Sequence, residues 1–333
     1  MALISASGED ARAATLNALD GNLNREITVT KDMLQVEGTS IGIKAGDKIK
    51  LENLLYGLLL ESGNDAANAI AISLAGSLNS FANMMNKRAS QIGMKNTNFV
   101  TPSGLDDENH YSTAYDMALL ASEAMKNETF CKIVATKQFK STYNDGDISV
   151  TYSNHNRLLD MYDGVDGIKT GFTKKSGRCL VSSCVNNGVR LIAVTLNAPD
   201  DWNDHIQMLN SGFREFSVRH IISKGQCLGF AQINGGLEQT VSLLAAEDFS
   251  YAIAEHEQLR IVFPGPGFAY APVDRGQDAG FAHLCLGDES IYKMPLVYGE
   301  TVELAPQPKR SFWEKLWKLK KNVYFCSTNN LLA

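Results

Sequence analysis

The apolar residues of this chain change their spacing partway along, and that change confines it to a mixed α+β architecture. Through Leu51-Glu52-Asn53-Leu54-Leu55-Tyr56-Gly57-Leu58-Leu59-Leu60 they recur at helical intervals, and residues 65–74 are rich in Ala and Ile. Two helices are therefore expected to meet at Glu61-Ser62-Gly63-Asn64. Residues 79–92 form a further amphipathic stretch ended by Gly93, and 112–125 follow with Ser112 or Thr113 as N-cap. After Lys140 the texture turns to strand. Tyr143-Asn144-Asp145-Gly146 reads as a hairpin turn, and the runs 179–185 and 189–196 flank Asn186-Asn187-Gly188, which predicts an antiparallel sheet. Residues 202–216 return to helix, so helices bracket strands in an α+β domain over residues 1–218.

A second texture follows. Between 221 and 302 short β-type runs alternate with turns at Gly225, Gly235-Gly236, Gly265-Pro266-Gly267 and Gly280, predicting a small all-β domain over 219–305. From Pro306 the pattern changes again. Phe312, Trp313, Leu316, Leu319 and Val323 fall on one helical face, with Lys315, Lys318, Lys320 and Lys321 mostly elsewhere, so 306–333 reads as a basic amphipathic helix.

Composition removes several classes of function. With 333 residues, 44% hydrophobic and 20% charged, the chain can bury a core and is neither a disordered nor a fibrous protein. A formal charge of −6 without a basic stripe or a nucleic-acid motif excludes nucleic acid as a partner. No stretch reaches the roughly 20 apolar residues that span a bilayer. Residues 1–12 lack a basic region followed by an apolar one, so no export signal is expected in the chain. The cysteines at 131, 179, 184, 227, 285 and 326 show neither CxxC spacing nor a Cys/His cluster, and are expected to be buried or incidental thiols without a metal.

Two triplets carry the chemistry. Ser62-Gly63-Asn64 and Lys169-Thr170-Gly171 stand in the order of the S-x-N and K-T-G elements of serine penicillin-recognising enzymes. Their surroundings add weight: Leu54-Leu55-Tyr56-Gly57 before Ser62-Gly63-Asn64-Asp65-Ala66-Ala67, then Met94-Lys95-Asn96-Thr97-Asn98-Phe99, Gly104-Leu105-Asp106, and Gly164-Val165-Asp166-Gly167-Ile168-Lys169-Thr170-Gly171-Phe172-Thr173. On these residues the chain resembles the low-molecular-mass penicillin-binding proteins, serine-type D-alanyl-D-alanine carboxypeptidases of the S11 peptidase type. The resemblance runs from about residue 21 to about 216, and more loosely through the β domain.

The resemblance implies a penicillin-binding, β-lactamase-like transpeptidase domain, a helical cluster with an antiparallel sheet, followed by a small all-β domain and a C-terminal amphipathic helix. It implies acyl transfer at the peptide bond between two D-alanines, without a cofactor or metal. Ser62 would relay a proton to the leaving amine, and Asn64 would hold the substrate backbone and the catalytic lysine. Lys169 and Thr170 would receive the terminal carboxylate, Gly171 would leave room for a ligand backbone, and the N–H of Phe172 would form half of an oxyanion hole. The implied partners are a peptidoglycan stem peptide ending in D-Ala-D-Ala, β-lactams where a nucleophile exists, and a membrane surface met by residues 310–325. The implied setting is extracytoplasmic and membrane-associated.

One element departs from the family pattern. No serine near the N-terminus is followed three residues later by lysine; the equivalent segment is Ser7-Gly8-Glu9-Asp10, or residues 8–11, with Asp10 where lysine is expected. Thr28-Val29-Thr30-Lys31 has the spacing, but Ile27-Thr28-Val29 reads as a strand and the family's motif opens a helix. A serine hydroxyl without an adjacent base is a poor nucleophile. The first domain is therefore expected to be N-terminally incomplete, and a non-catalytic stem-peptide-binding protein is the alternative reading. A β-lactamase shares the motifs, but the extra domain and tail suit a wall enzyme better. His110 and His155, near the motifs, are expected to be structural.

Overall fold

The computed structural model describes residues 22–264 and 267–306. The chain divides into two compact units, Met1–Val218 and Arg219–Ala333. The segments 7–11 and 310–325, and Cys326, lie outside the described residues.

In the first unit a short hairpin pairs β1 (Glu26–Thr28) with β2 (Lys48–Lys50). Helix α1 (Leu51–Leu60) then begins directly from the strand, and it is buried along nearly its whole length, from Leu51 to Leu60. A helix apolar on all sides belongs in the centre of a core. Helix α2 (Asn64–Ala75) follows after a tight turn and ends at Gly76, whose φ of 77° supplies the left-handed closing conformation. Helix α3 (Leu78–Gln91) is capped by Ser77, and α4 (Ala114–Ala124) by Thr113, the hydroxyls accepting from Ser80 N–H and Asp116 N–H. Helix α5 (Glu128–Ala135) completes the cluster. Leu54, Leu58, Ile70, Phe81, Leu120 and Phe130 are among the core side chains these helices share.

The strands of this unit form two further sheets. The hairpin β3 (Gln138–Tyr143) and β4 (Ile148–Ser153) turns at 144–146, and Tyr152 is 1% exposed within the helical core. After a short helix α6 (Leu158–Met161), the antiparallel order β5–β6–β7 is built from Val165–Thr173, Gly177–Asn186 and Val189–Thr195. The β6–β7 turn falls at Asn187-Gly188, with Asn186 opposite Val189. Every residue from Cys179 to Cys184 is buried, so the central strand is covered on both faces. Helix α7 (Asp201–Glu215) packs on β6 and β7. Strand β5 has a hydrogen-bonded neighbour on one side, β6, which leaves its other edge open to a ligand among the described residues.

In the second unit a sheet has the order β12–β14–β15–β10–β9–β13, built from Leu259–Val262, Asp278–Leu286, Glu289–Tyr298, Thr240–Ala245, Cys227–Asn234 and Phe268–Tyr270. β8 (Phe216–Ile222) pairs with β11 (Phe249–Ala254). Its core includes Val241, Leu284, Met294 and Leu296. No helix occurs in this unit among the described residues, in line with the all-β expectation.

Candidate active site

The turn between α1 and α2 carries the first triplet, and a segment with little regular structure of its own locks it in place. Ser62 has φ 60°, a left-handed conformation that costs a non-glycine residue about 1 kcal/mol. Two contacts hold it there: Gly63 N–H donates to Gly57 O at 3.2 Å, and Asn64 N–H to Thr39 O at 2.8 Å. Around Asp65, 3% exposed, the backbone wraps closely: Ile41 N–H donates to Oδ1 at 3.0 Å, Gly42 N–H and the Ser40 hydroxyl to Oδ2 at 3.1 and 2.6 Å. A carboxylate in the first turn of α2 also suits the helix dipole. A Cβ on Gly63 would meet Ile41 Cγ2 at 2.7 Å, so the turn accepts only glycine without displacing this clamp.

The clamp is the part that sequence reading passed over. Gly38-Thr39-Ser40-Ile41-Gly42 has the G-x-S-x-G spacing of a hydrolase nucleophile elbow. It lies in no strand-to-helix turn, and the Ser40 hydroxyl is committed to Asp65. Its work is to shape the Ser62 turn. Sequence offered a signal, two glycines bracketing Thr39-Ser40-Ile41, which take φ of 87° and 78° in the structure, but not its partner.

The second triplet lies on the open-edged strand β5. Lys169 is 2% exposed, and its Nζ donates to the Ser62 hydroxyl and, at 3.1 Å, to Thr170 O. A chain separation of 107 residues is thus closed at one hydrogen bond. Ser62, Thr170, Gly171 and Phe172 line a common cleft of about 330 Å³ with His155 and Arg178. Phe172 is 63% exposed there. Asn64, by contrast, is buried to the side, its amide donating to Glu37 O at 2.7 Å.

Neighbouring motif strings serve as supports. In the Met94–Phe99 string, Asn96 N–H and the Thr97 hydroxyl both donate to Asp116 Oδ2 at 2.7 Å. Beyond Gly171, the Thr173 hydroxyl donates to Asp106 at 3.1 Å and joins Ser176 to close the β5–β6 hairpin. His110 is 2% exposed, its Nδ1 accepting from Val100 N–H at 3.2 Å, a structural place. His155 is different. Its ring meets Glu61 at 3.3 Å and stands at the cleft, so it is more than a core histidine.

The arrangement is a hydroxyl held by a buried ammonium, beside an open strand edge that can take an extended peptide. Known proteins resemble the chain in sequence and fold. The sequence profile described as D-alanyl-D-alanine carboxypeptidase matches residues 14–200. The chain belongs to the D-alanyl-D-alanine carboxypeptidase family. The profile described as penicillin-binding protein 5, C-terminal domain, matches residues 216–304, which gives the β unit of this carboxypeptidase-family chain its counterpart. Similar relatives include the D-alanyl-D-alanine carboxypeptidase DacF of Bacillus subtilis, 30% identical over 85% of this chain and 74% of that protein. DacC of Escherichia coli is 32% identical over 87% of this chain and 74% of that protein. Among solved structures, penicillin-binding protein 5 of Haemophilus influenzae matches with a TM-score of 0.69 at 27% identity, covering 90% of each chain. A mutant form of the Streptomyces K15 DD-transpeptidase matches with a TM-score of 0.60 at 31% identity, covering 63% of this chain and 88% of that one. This member is therefore a low-molecular-mass penicillin-binding protein of the S11 type, with a transpeptidase-like α+β fold and a C-terminal β domain.

Proposed function

We propose that this chain removes the terminal D-alanine from peptidoglycan stem pentapeptides, in the synthesis and remodelling of the wall that gives a cell its shape. The observation that carries this reading is the Lys169–Ser62 hydrogen bond at the floor of a cleft beside an open strand edge. The stem peptide lies along β5, its backbone passing Gly171. The ammonium of Lys169 keeps the Ser62 hydroxyl oriented; as the attacking serine forms an ester and the peptide C–N bond breaks, this hydroxyl relays the proton the attacking serine loses to the departing amine, and water then hydrolyses the ester. Thr170 offers its hydroxyl to the terminal carboxylate, the Phe172 N–H serves the developing oxyanion, and Asn64 steadies the turn that carries Ser62. The attacking serine belongs to the family's N-terminal segment, where this chain has Ser7-Gly8-Glu9-Asp10. β-Lactams enter the same cleft as acylating mimics of the peptide.

Incubation with a fluorescent penicillin, followed by a denaturing gel and intact-mass analysis, tests the reading. One adduct per chain and release of D-alanine from a stem pentapeptide are expected. Asp10, standing where the family has a lysine, favours a second reading in which the cleft binds stem peptides without turnover. Under that reading no adduct forms, while pentapeptide binding persists and Lys169→Ala abolishes it.

The setting follows from the substrate. Stem peptides of this kind place the chain outside the cytoplasmic membrane, with the basic amphipathic stretch 310–325 on the lipid surface, Trp313 and Trp317 at the interface and lysines towards anionic headgroups. No described helix is long and apolar enough to cross a membrane. Flotation of the full chain with anionic vesicles, and loss of flotation on deleting 310–325, is the expected result.

A further inference from the structure

A peptide ending in D-Ala-D-Ala brings a free carboxylate to the cleft, and the lysine of the second triplet is turned inward. Lys169 is buried, with its ammonium on Ser62 and on Thr170 O. Two other basic side chains line the cleft, His155 on Glu61 and Arg178. Arg178 stands directly opposite Phe172 in the β5–β6 ladder, so Thr170, Phe172 and Arg178 rise from one face of the sheet.

The guanidinium of Arg178 is held in a fixed pose. Its Nη2 donates to Asp201 Oδ1 at 2.8 Å, and the Asp201 side chain is only 3% exposed against 43% for Arg178. The carboxylate is fixed in turn by Trp202 N–H at 2.9 Å, in the first turn of α7. The indole of Trp202 lies 5.6 Å from the guanidinium carbon, within cation–π range, and both Asp201 and Trp202 belong to the cleft wall. Burying a carboxylate carries a desolvation cost that an ordinary surface arginine does not need in order to stay soluble. What the arrangement achieves is preorganisation. One edge of a planar fork is tied to Asp201, the Nε–H is buried without a hydrogen-bond partner, the ring below limits rotation, and Arg178 lines the same cleft as Thr170.

We infer that Arg178, positioned by Asp201 and Trp202, is the residue that selects ligands with a free terminal carboxylate, with the Thr170 hydroxyl as its partner. This rests on the stem-peptide reading above and assigns the selection to a residue outside both triplets. Lys169 then serves the reacting end of the cleft and Arg178 the recognition end.

The test is an NMR titration of the full chain with a stem pentapeptide ending in D-Ala-D-Ala and with the same peptide ending in a carboxamide. Wild type binds the acid more tightly by about 10- to 100-fold, the range of a charge-assisted hydrogen bond. Arg178→Gln, whose amide can still donate to Asp201, binds both peptides alike at the level of the carboxamide. Full acid preference in Arg178→Gln overturns the assignment and leaves the stem-peptide reading standing. Wild type that binds neither peptide overturns both. Should Arg178→Gln fail to fold by circular dichroism, Arg178→Lys decides: its ammonium is a point charge on a flexible stem without the planar fork, so a preference reduced at least severalfold supports the assignment and an unchanged one overturns it.

Discussion

Strand β6 of the first unit and strand β9 of the second place their neighbours' charges differently, because β6 is covered on two faces and β9 on one. In β6 the run Cys179–Cys184 is buried without interruption. Charged groups beside it have been given partners: Lys169 on Ser62, Arg178 on Asp201, and Arg190 on Asp166 and Ser183 at 2.7 and 2.6 Å. In β9 buried and exposed positions alternate, and Phe230 and Tyr270 stand 71% and 70% exposed on the open side. The ion pair there, Arg260 with Asp288 at 3.4 Å, has side chains 63% and 106% exposed, and pairs of that kind are worth little. Cover on both faces makes the position of a polar group costly to change, and that is the condition a reactive site needs.

The comparison can be broken at its strongest point first. Lys169→Ala should lower D-alanine release, or stem-peptide binding if turnover is absent, by about 100-fold or more, since the ammonium orients the hydroxyl that meets the substrate. Activity at the wild-type level would mean that cover does not create the site. In the second unit, Leu284→Ala should cost about 2–5 kcal/mol in urea unfolding, because Leu284 is fully buried in the core of the β unit. Gly164→Ala should cost about 2–4 kcal/mol: its φ is 87° and a Cβ would press on the Val185 carbonyl oxygen behind the β5–β6 pair. Phe230→Ser, on the open face, should stay within about 0.5 kcal/mol of wild type. A large loss there would show that the face is covered after all.

The cysteines sharpen the same contrast chemically. Burial, with Asp166 adding to it, pushes the Cys184 thiol up to about 11, whereas Cys227 is exposed on β9. At pH 8 a thiol titrating near 11 is thiolate in about one molecule per thousand. Maleimide mass mapping should find Cys227 modified first and Cys184 only after denaturant opens the first unit. Raising the pH should speed Cys184 labelling, because the reactive form grows as its titration is approached from below.

Local patterns in the chain were easy to read. The helices on either side of Glu61-Ser62-Gly63-Asn64, the Thr113 cap and the Asn187-Gly188 turn each depend on a few adjacent residues whose dihedral preferences or periodicity say what they do. The triplets were legible for the same reason, as short strings in order. The surroundings of the triplets were harder. Alternation along β5 shows that Lys169 and Thr170 face opposite ways, but not which way is covered, so the contact of Lys169 with Ser62 was not legible. His155 was expected to be structural and stands at the cleft. Gly38-Thr39-Ser40-Ile41-Gly42 was passed over, and only Asp65 explains its shape.

By itself, then, the sequence determined the order of helices and strands, the two kinds of unit and the family, because periodicity, turn chemistry and motif strings are carried by neighbours along the chain. The tertiary structure alone decided that Lys169 meets Ser62, that a 38–42 clamp holds Asp65, and that Arg178 rests between Asp201 and Trp202 at the cleft. Those pairings join residues far apart in the chain, and their geometry depends on strand register and on which faces are buried, quantities that exist only once the sheet and its covering helices have packed.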